Sequence, residues 1–290
     1  MDNKIRQMVK KSYDLHFHMG PEIIPRKFNN LLELDDCEKN NIAGIALKNH
    51  FYPTAPLIKQ LKVKSKLNYI GSIVLNNFIG GLNSEAIYAS SLLSNKPIIV
   101  WFPTVNAENF LKNSISEIPS EWVNKKNFKT RNSSKITPVR LIDNEVIDVL
   151  KMIKKTKSIL ATGHISADES IQLVSQALEI GIKKIIITHP IYQKIDMVID
   201  DQIYLAKKGC YLESCYSMYS IDKIPIGKIA YQIKKVGPDQ IILSSDVGQK
   251  FSPISSQALF NFAQLLLKEG ITMDMLYQML VINTNKIIFS

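Results

Sequence analysis

The residues in this sequence that are best suited to chemistry are its five histidines and one late aspartate. The histidines lie at, or within two residues of, the C-terminal ends of apolar runs that we predict to be strands; they are His16, His18, His50, His164 and His189. Asp246 follows the last of these runs directly. Imidazole and carboxylate groups bind divalent metal ions and transfer protons near neutral pH. Their common position at strand ends predicts that they form one site.

His16 and His18 form a His-x-His pair on the first predicted strand. Residues two apart on a strand point to the same side, so both imidazoles are expected to face the interior. Two imidazoles in an apolar cavity lose their hydration unless a cation or polar partners satisfy them. The pair alone is equally compatible with chance or with a satisfied core pair. Together with the two later strand-end histidines and Asp246, it favours a metal site.

Eight short apolar runs alternate with helical patterns along the chain. The runs are continuous rather than alternating in polarity, which is typical of parallel strands covered on both faces. They are Tyr13–His18, Ile42–Lys48, Asn68–Leu75, Ile98–Phe102, Ile159–Gly163, Lys184–Thr188, Cys210–Glu213 and Gln240–Ser245. A capping box at Ser166–Glu169 predicts the start of one helix, and Gly181 its end. Eight strands with intervening helices predict an α/β chain, a (β/α)8 TIM barrel that forms a single domain over residues 1–290, with the C-terminal strand ends on one face.

The regular spacing is interrupted once, between the fourth and fifth predicted strands. Residues 104–141 are rich in Asn, Ser and Lys and contain Pro119 and Pro138. Long loops inside compact domains are usually functional or mobile. We therefore interpret this stretch as a long loop insertion that lies over the barrel mouth as a partial lid.

The composition excludes several classes of protein. With 46% hydrophobic and 21% charged residues the chain is not intrinsically disordered, and 12 Gly and 12 Pro exclude a collagen-like chain. No apolar run reaches the roughly 18 residues that cross a bilayer, and the first residues lack the apolar core of a secretory signal. Cys37, Cys210 and Cys215 are too few for a disulfide framework and form no Cys-x-x-Cys pair. We expect a cytoplasmic protein.

The net charge of +10 is concentrated in one stretch. Residues 111–157 hold 11 Lys or Arg against 5 Asp or Glu, with Lys in excess and no alternation with aromatic residues. This pattern indicates a solvated basic face. We expect a small-molecule substrate rather than a nucleic acid or a membrane, in a chain that is compatible with a homo-oligomer. The contrasting hypothesis is a non-catalytic protein that binds nucleic acid through Lys125, Lys126, Lys129 and Arg131.

Four motifs, in this order, resemble the amidohydrolase superfamily, including its phosphotriesterase-like and TatD-like metal hydrolases. They are Asp14-Leu15-His16-Phe17-His18, Thr162-Gly163-His164, Thr188-His189-Pro190 and Ser245-Asp246. Asn283–Ile288 is similar to the closing segment of the superfamily, so the resemblance extends from about residue 13 to the C-terminus. Gly80–Asn83 and Ser244–Gln249 are similar to an uncharacterised bacterial branch of the same superfamily.

This resemblance implies a metal-dependent hydrolase with one or two divalent ions, Zn²⁺ or Mn²⁺. His16 and His18 would bind the deeper ion; His164 and His189 would bind a second, or one would complete the first while the other contacts substrate. Asp246 would be a ligand and the base for the attacking water, whose pKa a bound ion lowers to about 7. The bond cleaved would be an amide, cyclic amide or ester of a small molecule. Phosphoester or lactone hydrolysis and metal-assisted decarboxylation are the alternatives.

The sequence departs from the superfamily pattern at the bridge between two ions. Binuclear relatives use a lysine carbamate or a glutamate from strand four, and the run Ile98–Phe102 contains neither. Either the site holds one ion, or Lys48 or Glu213 bridges two.

Further candidate residues follow the same predicted strand ends. Lys48 or His50 would stabilise negative charge that develops in the reaction. Their alternatives are a Lys48–Glu213 pair and a His50 that caps the next helix. Arg26 is a candidate for holding a substrate carboxylate, or else a surface residue, and Glu213 is a second candidate for substrate contact. The Gly80–Asn83 loop favours a tight turn over a binding loop for an anion.

Overall fold

Parallel strands and helices alternate along the part of the chain that the computed structural model describes, which is residues 1–22, 24–59, 65, 67–94, 96–114 and 138–290. The strands within these residues are β1 (Tyr13–His18), β2 (Gly44–Lys48), β3 (Asn68–Ile70), β4 (Ser72–Val74), β5 (Ile99–Trp101), β6 (Ile159–Ala161), β7 (Ile185–Ile187), β8 (Tyr211–Cys215) and β9 (Ile241–Ser244).

The helices are α1 (Asp2–Val9), α2 (Leu31–Glu38), α3 (Ala55–Lys59), α4 (Ser84–Leu92), α5 (Glu108–Ser114), α6 (Asp143–Lys155), α7 (Ala167–Ile180), α8 (Ile199–Lys207), α9 (Tyr216–Ser220), α10 (Ile226–Val236), α11 (Ser255–Lys268), α12 (Met273–Tyr277) and α13 (Asn283–Phe289). Short 3-10 turns lie at Asn77–Ile79 and Pro238–Gln240, and a π-helical turn, Gln278–Ile282, connects the last two helices. Among the residues described, every helix is too short or too polar to serve as a membrane span.

The described strands form two parallel sheets, in the orders β1-β2-β3 and β4-β5-β6-β7-β8-β9. One set of strand side chains forms a small apolar cluster of its own, which includes Leu15, Ala46, Ile70, Ile99, Trp101, Ile159, Ile186 and Ile242. The other set packs in a larger cluster with side chains from the helices. Both faces of the strands are therefore covered, which explains why the apolar runs in the sequence are continuous.

The prediction of a single strand over Asn68–Leu75 is wrong. The structure has β3 and β4 there, in different sheets and separated by Gly71. A side chain at Gly71 would meet the Cβ of Ala55 at 2.8 Å, so only glycine lets the first residue of α3 pack against the chain at this point. Thr54 N donates to Ser72 O at 2.9 Å beside this contact.

The chain that follows β9 lies along β1. Asp246 N donates to His16 O at 2.8 Å, and His18 N donates to Val247 O at the same distance. Phe17 and Val247 form an isolated parallel bridge. These contacts bring the first and the last of the candidate site residues side by side.

The predicted capping box is confirmed at the start of α7. Glu169 N donates to Ser166 Oγ at 3.2 Å, and Ser166 N donates to Glu169 Oε2 at 2.8 Å. The helix ends before Gly181, whose φ of 91° lies in the left-handed region. These local signals require no tertiary partner, which is why the sequence could predict them.

The predicted insertion over residues 104–141 lies partly outside the described residues. Its described ends contain α5 and the stretch 138–141, where Val139 N donates to Asn106 O at 2.9 Å. Residues 115–137 lie outside the description, and with them Lys125, Lys126, Lys129 and Arg131. The role of the insertion as a lid and the nucleic-acid hypothesis both stay predictions.

Candidate metal centre

The five histidines lie next to one another. Ring centroids are 5.3 Å apart for His16 and His18, 4.8 Å for His18 and His50, and 6.4 Å for His50 and His164. His189 closes the group, 5.1 Å from His164 and 5.8 Å from His16. Two of the rings come from β1, and the others follow β2, β6 and β7. The C-terminal strand ends therefore bring together side chains that are far apart in the sequence.

Asp246 lies beside the pair from β1. Its Oδ1 is 2.9 Å from His18 Nε2 and 3.0 Å from His16 Nε2, and its Oδ2 accepts from Ser217 Oγ at 2.7 Å. Asp246 and His189 have φ values of 48° and 25°, which are strained for residues with a side chain. Such strain persists only where the surrounding structure fixes the backbone, and it is frequent at functional sites.

His16 is enclosed between Glu213 and Lys48. Its Nδ1 is 3.0 Å from Glu213 Oε2, and its Nε2 is 2.8 Å from Lys48 Nζ; all three side chains are buried. A carboxylate accepts but never donates, so Nδ1 carries the proton and donates to Glu213. The lone pair of Nε2 then points toward Lys48 and Asp246. The alternative of a Lys48–Glu213 pair differs from the structure, in which the Lys48 amine contacts His16 and the other ring nitrogen of His16 contacts Glu213.

His18 lies between Asp246 and Arg26. Its Nδ1 is 3.2 Å from an Nη2 of Arg26, and a guanidinium can only donate. His18 Nδ1 therefore accepts, and the neutral ring carries its proton on Nε2, facing Asp246. Binding an ion through Nε2 requires this proton to leave. Because the contact of Nδ1 with Arg26 keeps the proton on Nε2, ion binding at this ring affects the contact with Arg26.

His50 does not cap the next helix, contrary to the alternative considered from the sequence. Its Nδ1 lies 2.8 Å from Thr104 Oγ1, which also accepts from Asn76 Nδ2 at 2.9 Å. The backbone N of His50 donates to Glu22 Oε1 at 2.7 Å. These contacts hold the ring against the other histidines instead of against α3.

Burial keeps most of these rings uncharged. It lowers the pKa of His18, His50 and His164 well below the usual histidine range, and the charge of Arg26 adds to the effect at His18. Burial also lowers the pKa of His189 to about 4. Neutral imidazoles are the form that binds metal ions.

The acidic groups remain ionised in spite of their burial. Burial raises the pKa of Asp246, but the neighbouring His16 and His18 outweigh it and hold the value well below the ordinary range. The same balance lowers the pKa of Glu213, where the contact with His16 Nδ1 opposes the effect of burial. Burial lowers the pKa of Lys48.

In the described chain there are three groups of residues whose possible metal-ligand atoms, within each group, lie within 4.8 Å of one another. They are His16, His18 and Asp246; His18, Glu22 and His50; and His16, Glu213 and Cys215. The first group fits a divalent ion best, because it joins two imidazoles to an ionised carboxylate. In the second group the guanidinium of Arg26 already neutralises Glu22. In the third, burial raises the pKa of the Cys215 thiol well above its ordinary value, which makes it a poor ligand.

His164 and His189 each have an unsatisfied ring nitrogen. Their Nδ1 atoms are buried and have no hydrogen-bond partner within the described chain. A buried polar atom without a partner costs about 1–3 kcal/mol. An ion or a polar group of a substrate is the kind of partner that would satisfy them, so these rings also fit a metal or substrate site.

A cavity of about 470 Å³ opens beside this cluster. Its lining includes His18, His50, His164, His189, Asp246 and Arg26. Arg26 is buried, at 3% exposure, so the alternative of a surface arginine is wrong. Glu213 and Lys48 lie behind His16, outside the residues that line the cavity, so the structure does not bring Glu213 into the predicted contact with a substrate.

Other features of the site were not found from the sequence. Glu22 and Ser217 support Arg26 and Asp246, yet both belong to loops or a short helix without a periodic pattern. Trp101 packs 5.5 Å from His16 and was recognised only as an apolar strand residue. The Gly80–Asn83 loop is a turn, as favoured, in which Asn83 caps α4 by accepting from Ala86 N at 3.0 Å.

The comparison with protein families gives one match. Residues 11–213 match the family described as "Family of unknown function (DUF6282)". No curated protein matches the chain.

Solved structures share the fold. An Escherichia coli phosphotriesterase homology protein, complexed with phosphate in its active site, is 10% identical, with 96% of this chain and 98% of that chain covered and a TM-score of 0.54. A Pseudomonas aeruginosa amidohydrolase is 10% identical over 98% of this chain and 97% of its own, at 0.52. A Xaa-Pro dipeptidase with bound methionine is 12% identical over 96% and 75%, at 0.58. At such identities the likeness shows the α/β fold alone.

Proposed function

The chain belongs to the family of unknown function DUF6282, and we propose from the geometry of its site that it is a metal-dependent hydrolase. Its reaction is the cleavage of an amide, cyclic amide or ester bond of a small molecule. The close approach of His16 Nε2 and His18 Nε2 to the ionised Asp246, at 3.0 and 2.9 Å, carries this proposal. Phosphotriesterase-homology, amidohydrolase and dipeptidase structures with the same fold support a hydrolytic reaction.

His16, His18 and Asp246 are the proposed ligands of a Zn²⁺ or Mn²⁺ ion. His164 and His189, with their unsatisfied ring nitrogens, are the proposed ligands of a second ion or the contacts of the substrate. A divalent ion held by these residues would supply a nucleophilic water at neutral pH by lowering the pKa of that water to about 7.

The proton of the attacking water is assigned to Asp246. Ser217 holds its Oδ2, which leaves Oδ1 directed at the histidines and the cavity. The same carboxylate then delivers the proton to the leaving group, since general bases act as acids in the second half of such reactions.

His50 and Lys48 are the proposed residues that stabilise negative charge developing on the substrate oxygen. His50 lines the cavity and is held by Thr104, so its position is preorganised. Lys48 lies behind His16, and its charge acts through the low-dielectric interior rather than by contact.

We also propose that the two sheets belong to one (β/α)8 barrel, with the insertion over residues 104–141 at its mouth. The hydrogen bonds between β1 and the residues that follow β9 support this closure on one side. On the other side β3 continues into β4 through the single residue Gly71.

The test is the metal content of the purified protein, measured by elemental analysis, together with turnover on amide, ester, lactone and phosphoester panels. We expect one or two ions per chain, loss of most metal in His16→Ala, and loss of turnover with better metal retention in Asp246→Asn. Asp196→Asn is the matched control, because Asp196 also has a positive φ, of 40°, but pairs with Lys228 on the surface.

A native chain without bound metal after supplementation would contradict the proposal. Bound metal with no hydrolysis in any panel would instead favour a metal-assisted decarboxylase. Turnover confined to the phosphoester panel would replace the amide or ester bond in the proposal.

A further inference from the structure

Arg26 is a buried cation with unused donors. Its Nε donates to Glu22, and its Nη2 donates to His18 Nδ1 at 3.2 Å. These two contacts use two of its five N–H donors, and only 3% of the residue is exposed. Arg26 is also one of the residues that line the cavity, so a molecule in the cavity can accept from its remaining donors.

The backbone fixes this guanidinium in place. Arg26 forms an antiparallel bridge with Gln249, and Lys27 N donates to Gly248 O at 2.7 Å. The segment that carries Arg26 is thereby attached to the segment that carries Asp246. A preorganised guanidinium loses little entropy on binding, and its planar fork matches the two oxygens of a carboxylate.

Part of the cavity lining is apolar. It includes Phe110, Met218, Ile221 and Phe251. Phe251 is 79% exposed at the mouth, although an aromatic side chain gains free energy when a ligand covers it. A ligand that fits both Arg26 and these apolar side chains has an anionic group at one end and an apolar body at the other.

We propose that the substrate is a small monocarboxylic acid with an apolar body, whose carboxylate binds Arg26. This inference rests on the proposed function and narrows its substrate class. A monoanion fits better than a phosphate dianion, because Glu22 already neutralises Arg26 and Asp246 lies near the same cavity. A single imidazole ring, that of His18, separates the guanidinium from Asp246, so only a few bonds separate the carboxylate from the bond that is cleaved.

The test uses two probes with the same body and no hydrolysable bond, 3-phenylpropanoate and 3-phenylpropan-1-ol. Their affinities for the purified protein are measured by calorimetry. We expect the acid to bind at least about tenfold more tightly than the alcohol, in line with a charge-assisted bidentate contact. Arg26→Gln should remove this preference, and Arg26→Lys, which keeps the charge without the fork, should retain only part of it.

Arg26→Gln leaves Glu22 without its cation. The double variant Glu22→Gln/Arg26→Gln preserves the charge balance, and it tests whether a folding defect causes the loss of preference for the acid. Arg140→Gln is the matched control, since Arg140 is exposed, and it should keep the full preference. Equal affinities for the two probes in the native protein, or a preference that survives in the double variant, would overturn the proposal. If inorganic phosphate competes for the Arg26 site more strongly than the acid does, the choice of a monocarboxylate is overturned.

The His16→Ala variant separates this inference from the proposed function. If the protein proves not to be a metal hydrolase, the preference for the acid should still follow Arg26. If His16→Ala removes both the metal and the preference while Arg26→Gln keeps them, the carboxylate binds the ion, and the assignment to Arg26 fails.

Discussion

At the scale of single residues, His16 shows how neighbours determine which atom is available for chemistry. Glu213 accepts a hydrogen bond from Nδ1 of His16, so the lone pair of Nε2 points to Asp246 and Lys48. Carboxylates that hold the second ring nitrogen in this way orient metal-binding histidines and make them more basic. We therefore expect Glu213 to position His16, a role that differs from the bridging and substrate contacts expected from the sequence.

Glu213→Gln should weaken metal binding. The amide can still accept from Nδ1 but carries no charge, and loss of such a partner typically costs about 10–100-fold in metal affinity. Competition with a chelator of known affinity measures the change. Cys215→Ala, a change two residues away on β8, should leave the affinity within about twofold, because the protonated thiol is a poor ligand. An affinity that falls for Cys215→Ala and not for Glu213→Gln would assign the contact to the sulfur.

At the scale of elements, the ends of strands fix the site through close backbone contacts. Gly163, with φ of 68°, lies directly before His164. A Cβ at this position would meet Phe102 O at 2.2 Å, so the end of β6 packs against the chain after β5 without room for a side chain. The sequence predicts the strand and the glycine, but this contact depends on a neighbour about sixty residues away, which no local pattern reveals.

Gly163→Ala should destabilise the fold and displace His164. Gly209→Ala is its matched control, because Gly209 has φ of 91° but a Cβ added there would meet no heavy atom within 4 Å among the described residues. The positive φ alone costs about 1–2 kcal/mol, so chemical denaturation should show that loss for Gly209→Ala and a larger one for Gly163→Ala. Only Gly163→Ala should also lower the bound metal. Equal effects of the two changes on stability would show that the backbone relaxes around the added methyl group.

The contact between α2 and α11 predicts a dependence of stability on pH. Glu38 is fully buried; its Oε1 accepts from Ser256 N at 3.0 Å, and burial raises its pKa to about 7. The pKa of Glu38 in the folded protein lies above its unfolded value, so the protonated carboxyl stabilises the fold. This stabilisation is complete below about pH 4.5 and is lost as the pH rises through about 7. The loss in unfolding free energy is about 3 kcal/mol, at 1.36 kcal/mol per pKa unit.

Glu38→Gln should remove this part of the pH dependence and raise the stability at pH 8. Urea denaturation at pH 5, 6, 7 and 8 measures it for the native chain and for the variant. Glu33→Gln, an exposed change on the same helix, should leave the profile as it is in the native chain. An unaltered pH profile in Glu38→Gln would mean that the carboxyl ionises without cost in the fold.

At the scale of the whole molecule, the sequence predicted positions better than partners. Continuous apolar runs located the strands, and the rule that parallel strand ends share a face brought His16, His164 and Asp246 together in advance. The break at Gly71 and the support of Arg26 by Glu22 were not foreseen. Both depend on which segments approach one another in three dimensions, and the sequence holds no periodic signal of that approach.

Metal binding should stabilise the whole fold, because the proposed ligands lie on segments from both ends of the described chain. An ion that binds only the folded state adds about 2.7 kcal/mol at a concentration of 100 times its Kd. Thermal unfolding with added Zn²⁺ or Mn²⁺, against chelator-treated protein, measures the difference. His16→Ala should unfold at nearly the same temperature in both conditions. A native chain that is equally insensitive would place the ion outside the folded core.

The sequence separation of 228 positions from His18 to its partner Asp246 also has a consequence for synthesis. The imidazole pair leaves the ribosome long before the carboxylate that lies beside it in the finished protein. A nascent chain cannot bring these side chains together until the residues after β9 have docked on β1. We therefore expect binding of the proposed ion to be a late event of maturation, which requires that the two distant segments have met.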